Sequence, residues 1–142
     1  MFHTERIFIN KNSKNPDLFV AVTCKNKFIL YSGRLVVKFP MKTLEEADNI
    51  TCAAFTKDAS VLLLGCSTGK IFAYRTSDGE LDKPAVQAAE ADISITQLQT
   101  LVNIEENDAF LMIMGGKELA VYVHNKNGDV REIDYGEDGN NY

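Results

Sequence analysis

The 142-residue sequence contains no tryptophan, only two histidines and only three cysteines. A zinc site needs about four clustered ligands, and His3, His124, Cys24, Cys52 and Cys66 are scattered along the chain. We therefore expect no metal and no cofactor. An odd number of cysteines without a CxxC pair indicates reduced thiols, which predicts a cytoplasmic or nuclear protein.

Long apolar runs are also missing, as is an excess of positive charge. No apolar run reaches the roughly 18 residues of a membrane-spanning helix, and the first residues, MFHTERIFIN, lack the layout of a signal peptide. The 15 basic residues are outnumbered by 20 acidic ones, for a formal net charge of −5. Because phosphate binding needs clustered Lys and Arg, direct contact with nucleic acid is disfavoured. We expect protein partners and no membrane.

What the sequence does contain is one unit repeated three times. In each copy an apolar run is followed by a tight polar turn and a second apolar run that ends in Tyr31, Tyr74 or Tyr122, at intervals of 43 and 48 residues. The first runs are LFVAVTC, VLLLGCS and AFLMIMG. Short runs that are apolar throughout and rich in Val, Ile and Phe predict strands buried on both faces, and a short buried helix fits them less well.

Each unit also contains one strand candidate before these runs and one after them. The candidates before the runs are Arg6–Asn10, Ile50–Thr56 and Ile95–Val102, and those after them are Arg34–Phe39, Leu81–Gln87 and Val130–Tyr135. Pro84 cannot donate to a β-ladder, so its strand belongs at an edge. We predict an all-β single domain over 1–142, with four-stranded antiparallel units at about 5–39, 50–87 and 95–135 and a flexible acidic tail at 136–142. The connectors at 43–47 and 86–91 each suggest a helical turn.

Four short antiparallel strands repeating at a period in the forties resemble the blades of a β-propeller, and particular residues resemble those of WD-repeat blades. Phe55–Ala59 is similar to the end of a first strand and its turn. Ile71–Arg75 and Leu119–Val123 are similar to the stretch that carries the Trp-Asp dipeptide. The resemblance, which spans about 110 residues, implies a divergent propeller that serves as a non-catalytic protein-interaction scaffold subunit.

The chain departs from the WD pattern at two places. Tyrosines stand where the family has tryptophan, and Ser32, Arg75 and Val123 follow them in place of aspartate. The Gly-His pair that precedes the first strand is also absent, so the buried His–Asp network of a regular WD blade does not form.

Three blade-like units are fewer than the four to eight blades of known propellers, which predicts an incomplete ring. A second copy, another protein or a longer parent chain could each complete it. We expect outward-facing apolar side chains at the two ends of such a fan, where partners would bind. The expected residues are Phe8, Val20 and Ile29 in the first unit, and Met112, Met114 and Val121 in the last.

Charged residues recur in the turns between the second and third strands and in the connectors between units. A propeller places both on one face, which predicts a mixed-charge docking surface. Alternatively, these charges only solvate the rim, since exposed ion pairs contribute about 0–1 kcal/mol. The candidate partner-binding residues are Lys25, Lys27, Lys70 and Lys117 in the turns and Glu46, Asp48, Glu90 and Asp92 in the connectors. Binding of nucleic acid by the turn lysines is a less favoured alternative.

The segment Gly65–Gly69 fits the G-x-S-x-G pattern of hydrolases, with Ser67 as the nucleophile. That mechanism needs a strand, a strained turn and then a helix. The following residues, IFAYRT, indicate a strand instead. A small hydrolase is therefore a weak alternative, and we predict that the protein is not an enzyme.

Overall fold

A computed structural model describes residues 6–9, 19–32, 37–101, 108–115, 118–124 and 129–132, and everything below refers to them. They form three four-stranded antiparallel sheets and contain no helix. The first sheet contains β1 (Arg6–Ile9), β2 (Phe19–Cys24), β3 (Lys27–Ser32) and β4 (Val37–Thr43). The middle sheet contains β5 (Ile50–Phe55), β6 (Val61–Cys66), β7 (Lys70–Arg75) and β8 (Val86–Gln87). The last sheet contains β9 (Ile95–Thr100), β10 (Asp108–Met114), β11 (Glu118–His124) and β12 (Asp129–Glu132).

Each sheet follows chain order from one edge to the other, and the first strands of the three sheets lie side by side. The all-β prediction is confirmed. In the part of the chain that the structure describes, no helix could span a membrane.

The expected helical turns in the connectors are wrong. β4 continues through Thr43, and Val86–Gln87 forms β8. The connectors instead bond to neighbouring turns, since the amide of Leu44 donates to the Asn26 carbonyl and the amide of Ala89 donates to the Gly69 carbonyl. Each connector contains a single tight turn, in which the amide of Asp48 donates to the Glu45 carbonyl at 2.9 Å and the amide of Ile93 donates to the Glu90 carbonyl at 2.9 Å.

The middle sheet is covered on both faces, as its apolar runs predict. All six residues of β6 are buried, and alternate side chains point to opposite faces of a strand. Leu62 and Leu64 pack toward the first sheet in a cluster that we call the first seam, with Ala21, Phe28, Leu30, Phe55, Phe72 and Tyr74. Val61 and Leu63 pack toward the last sheet in the second seam, with Cys52, Ile71, Ala73, Ile95, Leu98, Phe110, Met112, Met114, Ala120 and Tyr122.

The repeated tyrosines have a structural role in these seams. The ring of Tyr74 meets that of Phe28 edge-on in the first seam, with the centroids 4.9 Å apart. Tyr122 is buried in the second seam. Each of these tyrosines therefore packs toward the sheet that precedes it in the chain. Lys117 and the tail at 136–142 lie outside the described residues.

Candidate functional site

The turns between second and third strands and the connectors between sheets lie on one face of the molecule, as predicted. The amide of Ile50 donates to the Lys25 carbonyl at 2.7 Å, and the amide of Ser67 donates to the Asn49 carbonyl at 2.8 Å. The amide of Gly115 donates to the Ser94 carbonyl at 2.8 Å. We call this surface the connector face; it comprises residues 25–27, 44–49, 67–70, 88–94 and 115.

Asp48 is a buried residue of this face, contrary to the expectation that it is a surface docking acid. The hydroxyl of Thr68 donates to Asp48 Oδ1, and Lys70 Nζ lies 3.5 Å from Asp48 Oδ2. A buried carboxylate requires such partners because its desolvation is costly. Asp48 and Lys70 thus link the connector to the β6–β7 turn.

The other predicted residues of the connector face that the structure describes are at its surface. Lys25, Lys27, Glu46, Glu90 and Asp92 are exposed. Charges of both signs are therefore accessible, and their role in binding stays a prediction.

The second candidate surface consists of two largely apolar sheet faces that no other sheet among the described residues covers. The first open face contains Ile7, Ile9, Val22, Ile29 and Tyr31. The last open face contains Leu111, Ile113, Leu119 and Val121, together with the exposed Gln97 and Gln99 of β9. Residues directly opposite each other in neighbouring antiparallel strands point to the same side of the sheet, which places each set on one face.

Three residues predicted to face outward do not. Met112 and Met114 are buried in the second seam, where Met112 lies opposite Leu98 and Ala120. Phe8 packs against the first seam. A one-residue change of register moves every side chain to the other face, and a run such as AFLMIMG is apolar at both alternations, so sequence could not choose between them.

The other residues predicted to face outward are partly confirmed. Ile29 and Val121 lie on the open faces and are half-buried. The side chain of Val20 lies outside the described ones.

A cleft of about 510 Å³ lies between the first strands of the three sheets. It is lined by residues 7–9 of β1, 53–55 of β5 and 98–100 of β9. Only Gln99 and Thr100 carry polar side chains there, and this lining includes no acid, base or thiol. The cleft therefore provides space along the inner strands without groups for catalysis.

Ser67 does not occupy a nucleophile elbow. It lies in the tight turn between β6 and β7, which is followed by a strand, and its Oγ donates to the Ala47 carbonyl at 3.2 Å. Burial raises the pKa of the Cys52 thiol to about 11. Burial, together with the nearby charge of Asp48, also raises the pKa of Cys66. Both thiols are therefore protonated and poorly nucleophilic near neutral pH. The described residues contain no group of three or more His, Cys, Asp or Glu that could hold a metal ion.

No protein-family model matches the chain, and no curated protein matches it. Solved structures do. The Cps50 (Swd1) β-propeller domain of Myceliophteria thermophila superposes with a TM-score of 0.66 at 12% identity, over 94% of this chain and 40% of that one. The chain has the fold of part of a β-propeller.

Two further structures support the same fold. A structure of BBS1N in complex with ARL6DN matches with a TM-score of 0.63 at 13% identity, over 88% of this chain and 38% of that one. A chain of the mitotic checkpoint complex matches with a TM-score of 0.61 at 14% identity, over 94% of this chain and 43% of that one. The partial propeller therefore spans about two fifths of the chains it resembles.

The three sheets are consequently blades, which we call the first, middle and last blade. In the middle blade, Asp48, Thr68 and Lys70 join the incoming connector to the turn between the second and third strands. This network makes the connection without the Gly-His pair of regular WD blades. Sequence reasoning selected Asp48 and Lys70 for their charge; their adjacency came from the packing of the connector against the turn.

Proposed function

We propose that this chain is a non-catalytic protein-interaction module, a partial β-propeller whose two open faces are covered by further blades. The observation that carries the proposal is a difference in burial at equivalent positions. By register, Ile7 and Ile9 of β1 correspond to Ala53 and Phe55 of β5. Ile7 and Ile9 are 60% and 48% exposed, whereas Ala53 and Phe55 are 8% and 5% exposed in the first seam.

Covering the first open face would stabilise the protein considerably. Full burial of one isoleucine side chain contributes roughly 1.5–3 kcal/mol. Contiguous exposed apolar patches on soluble proteins mark association sites. The neighbouring folds lend support, because BBS1N is solved with ARL6DN and another match belongs to the mitotic checkpoint complex.

Two further features favour an interaction role in a reducing compartment. Cys24, Cys52 and Cys66 are free thiols, which suits the cytoplasm or nucleus. Neither Ser67 nor the cleft offers catalytic groups. On the connector face, Glu46, Glu90 and Asp92 share the surface with the exposed lysines, which counts against nucleic acid as the ligand.

Site-specific photo-cross-linking in cells tests the proposal. A benzophenone amino acid would replace Tyr31 on the first open face or Val121 on the last, with Leu81 as the control position. Leu81 is also an exposed apolar residue, but it pairs with Tyr74 at the outer edge of the middle blade. We expect position-specific cross-links to protein from Tyr31 and Val121, abolished by Ile9→Glu and Ile113→Glu respectively, and none from Leu81. Absence of cross-links from both open faces would overturn the proposed function.

A further inference from the structure

We infer that the occupant of each open face is a second copy of this chain. The last blade of each copy packs on the first blade of the other, so that two chains close a six-bladed ring. This inference rests on the proposed function and names the partner.

The first step is that both internal seams follow one rule. Each blade has a tyrosine side, which holds the repeated tyrosine, and a forward side opposite to it. In the first seam the forward side of the first blade, with Phe28 and Leu30, covers Tyr74 on the middle blade. In the second seam the forward side of the middle blade, with Leu63 and Ile71, covers Tyr122 on the last blade. Forward side against tyrosine side is therefore the pairing that this chain uses twice.

The second step is that the two open faces are the unmatched halves of one more seam. Tyr31 lies opposite Val20 in the first blade as Tyr74 lies opposite Leu62 in the middle blade, so the first open face is a tyrosine side. Leu111 lies opposite Val121 as Leu63 lies opposite Ala73, so the last open face is a forward side.

The third step is that the three described blades cannot bring these two halves together among themselves. Closed propellers have about four to eight blades, and the described residues form three. A second copy presents both missing halves at once. The resulting ring of six blades has two identical new seams related by a two-fold axis, which is the commonest symmetry of homo-oligomers.

The chemistry of the open faces permits this pairing. The centre of the first open face is aliphatic apart from Tyr31, and Leu111, Ile113, Leu119 and Val121 at the centre of the last open face are all aliphatic. The polar and charged positions lie at the margins: Lys27 is at the end of β3, Gln97 and Gln99 are on the edge strand β9, and Arg131 is opposite Val121 on the edge strand β12. Joining the two central sets would bury apolar surface, and none of their members carries a charge, which would be costly to bury.

The test is light scattering on a sizing column with one variant for each open face. Ile9→Glu places a charge on the first open face, Ile113→Glu does so on the last, and Leu81→Glu is the matched control. We expect the unsubstituted chain and the control variant to have twice the 15.8 kDa mass of one chain. Each open-face variant alone should have the mass of one chain. An equimolar mixture of the two variants should return to the doubled mass, because one forward–tyrosine seam stays intact between them.

Three results would overturn the inference. If the unsubstituted chain is monomeric and its open faces cross-link to a different protein, the proposed function stands, but the partner is that protein and not a second copy. A variant that stays dimeric by itself would show pairing of like faces. An open-ended series of masses would show that the ring does not close.

A second measurement covers variants that fail to fold, which circular dichroism would reveal. Light and heavy isotope-labelled copies of the chain are mixed, and the photo-cross-linker is placed at Tyr31. We expect cross-linked peptides that join the first blade of one copy to residues 109–123 of the other. Cross-links confined to one copy or to like blades would contradict the inference.

Discussion

At the scale of single residues, the missing side chain of one glycine and the carboxylate of one aspartate hold neighbouring parts of the fold together. A Cβ atom on Gly65 would lie 2.6 Å from Cys52 Sγ and 2.9 Å from Ile95 Cγ2. Both distances are shorter than van der Waals contact. Gly65 is thus required by the close approach of β5 and β9 to β6.

We predict that Gly65→Ala destabilises the protein by about 1–3 kcal/mol, because overpacking a core displaces its neighbours. The free energy of unfolding in urea measures the change. Cys52→Ala removes the nearest atom, so the double variant should recover part of the loss in a double-mutant cycle. Additive effects of the two substitutions would contradict this account.

Asp48 yields a second prediction. Asp48→Ala should lower the free energy of unfolding by about 1–3 kcal/mol, because Thr68 loses its acceptor and Lys70 its ion-pair partner. Asp48→Asn keeps an oxygen for Thr68 and should cost less. The control Asp92→Asn alters an exposed acid of the same face and should change stability by less than about 0.5 kcal/mol. Equal effects at the two positions would disprove the buried link.

The buried thiols yield a third prediction, on alkaline pH. The folded state raises the pKa of Cys52 from 9.0 to about 11, so above pH 9 the unfolded chain loses a proton that the folded chain retains. Stability is therefore full below pH 9 and falls as the pH rises toward 11, by about 1.4 kcal/mol per pH unit for each such thiol. Urea midpoints from pH 8 to 11 measure this loss. Cys52→Ala should reduce the slope to the part that Cys66 contributes, and an unchanged slope would show that Cys52 is not responsible.

At the scale of elements, the outer edge of the middle blade is its least regular part. β8 has only two residues, and the exposed Pro84 precedes it. Proline and short edge strands both discourage pairing with another sheet. Gln87 anchors this edge, since its Nε2 donates to the Thr68 carbonyl at 2.6 Å and to the Ala89 carbonyl at 2.8 Å.

Gln87→Ala should therefore loosen β8 while the inner strands keep their structure. Hydrogen–deuterium exchange should become faster at residues 86–89, and exchange in β6 should stay unchanged, because local openings involve the less stable elements. Glu46→Ala, at an exposed position in the connector before β5, serves as the control. Equal acceleration in both variants would argue against a specific anchor at Gln87.

At the scale of the whole molecule, stability and association are linked. The middle blade has a partner blade on each side, whereas the first and last blades each have one. A ligand that binds only the folded state raises the apparent stability of the protein, and this effect grows with ligand concentration. Here the proposed ligand is a second copy of the chain.

We therefore predict that the midpoint of thermal unfolding of the unsubstituted chain rises with protein concentration. The Ile9→Glu variant should show a lower midpoint that does not depend on concentration, since it cannot form the new seams. Differential scanning calorimetry over a hundredfold range of concentration measures both. A midpoint of the unsubstituted chain that does not change with concentration would contradict self-association.

The sequence alone determined the second and third strands of each unit and the repeat. The reason is local: strand length, β-branched composition and polar turns each act within a few residues, and Tyr31, Tyr74 and Tyr122 marked equivalent places in three copies. Only the tertiary structure decided which side chains face which seam. LFVAVTC and AFLMIMG are apolar at both alternations, so contact with a neighbouring blade buried Met112 and left Ile113 on the open face. Tertiary packing also buried Asp48, because the connector packs against Thr68 and Lys70 and this contact removes the carboxylate from water.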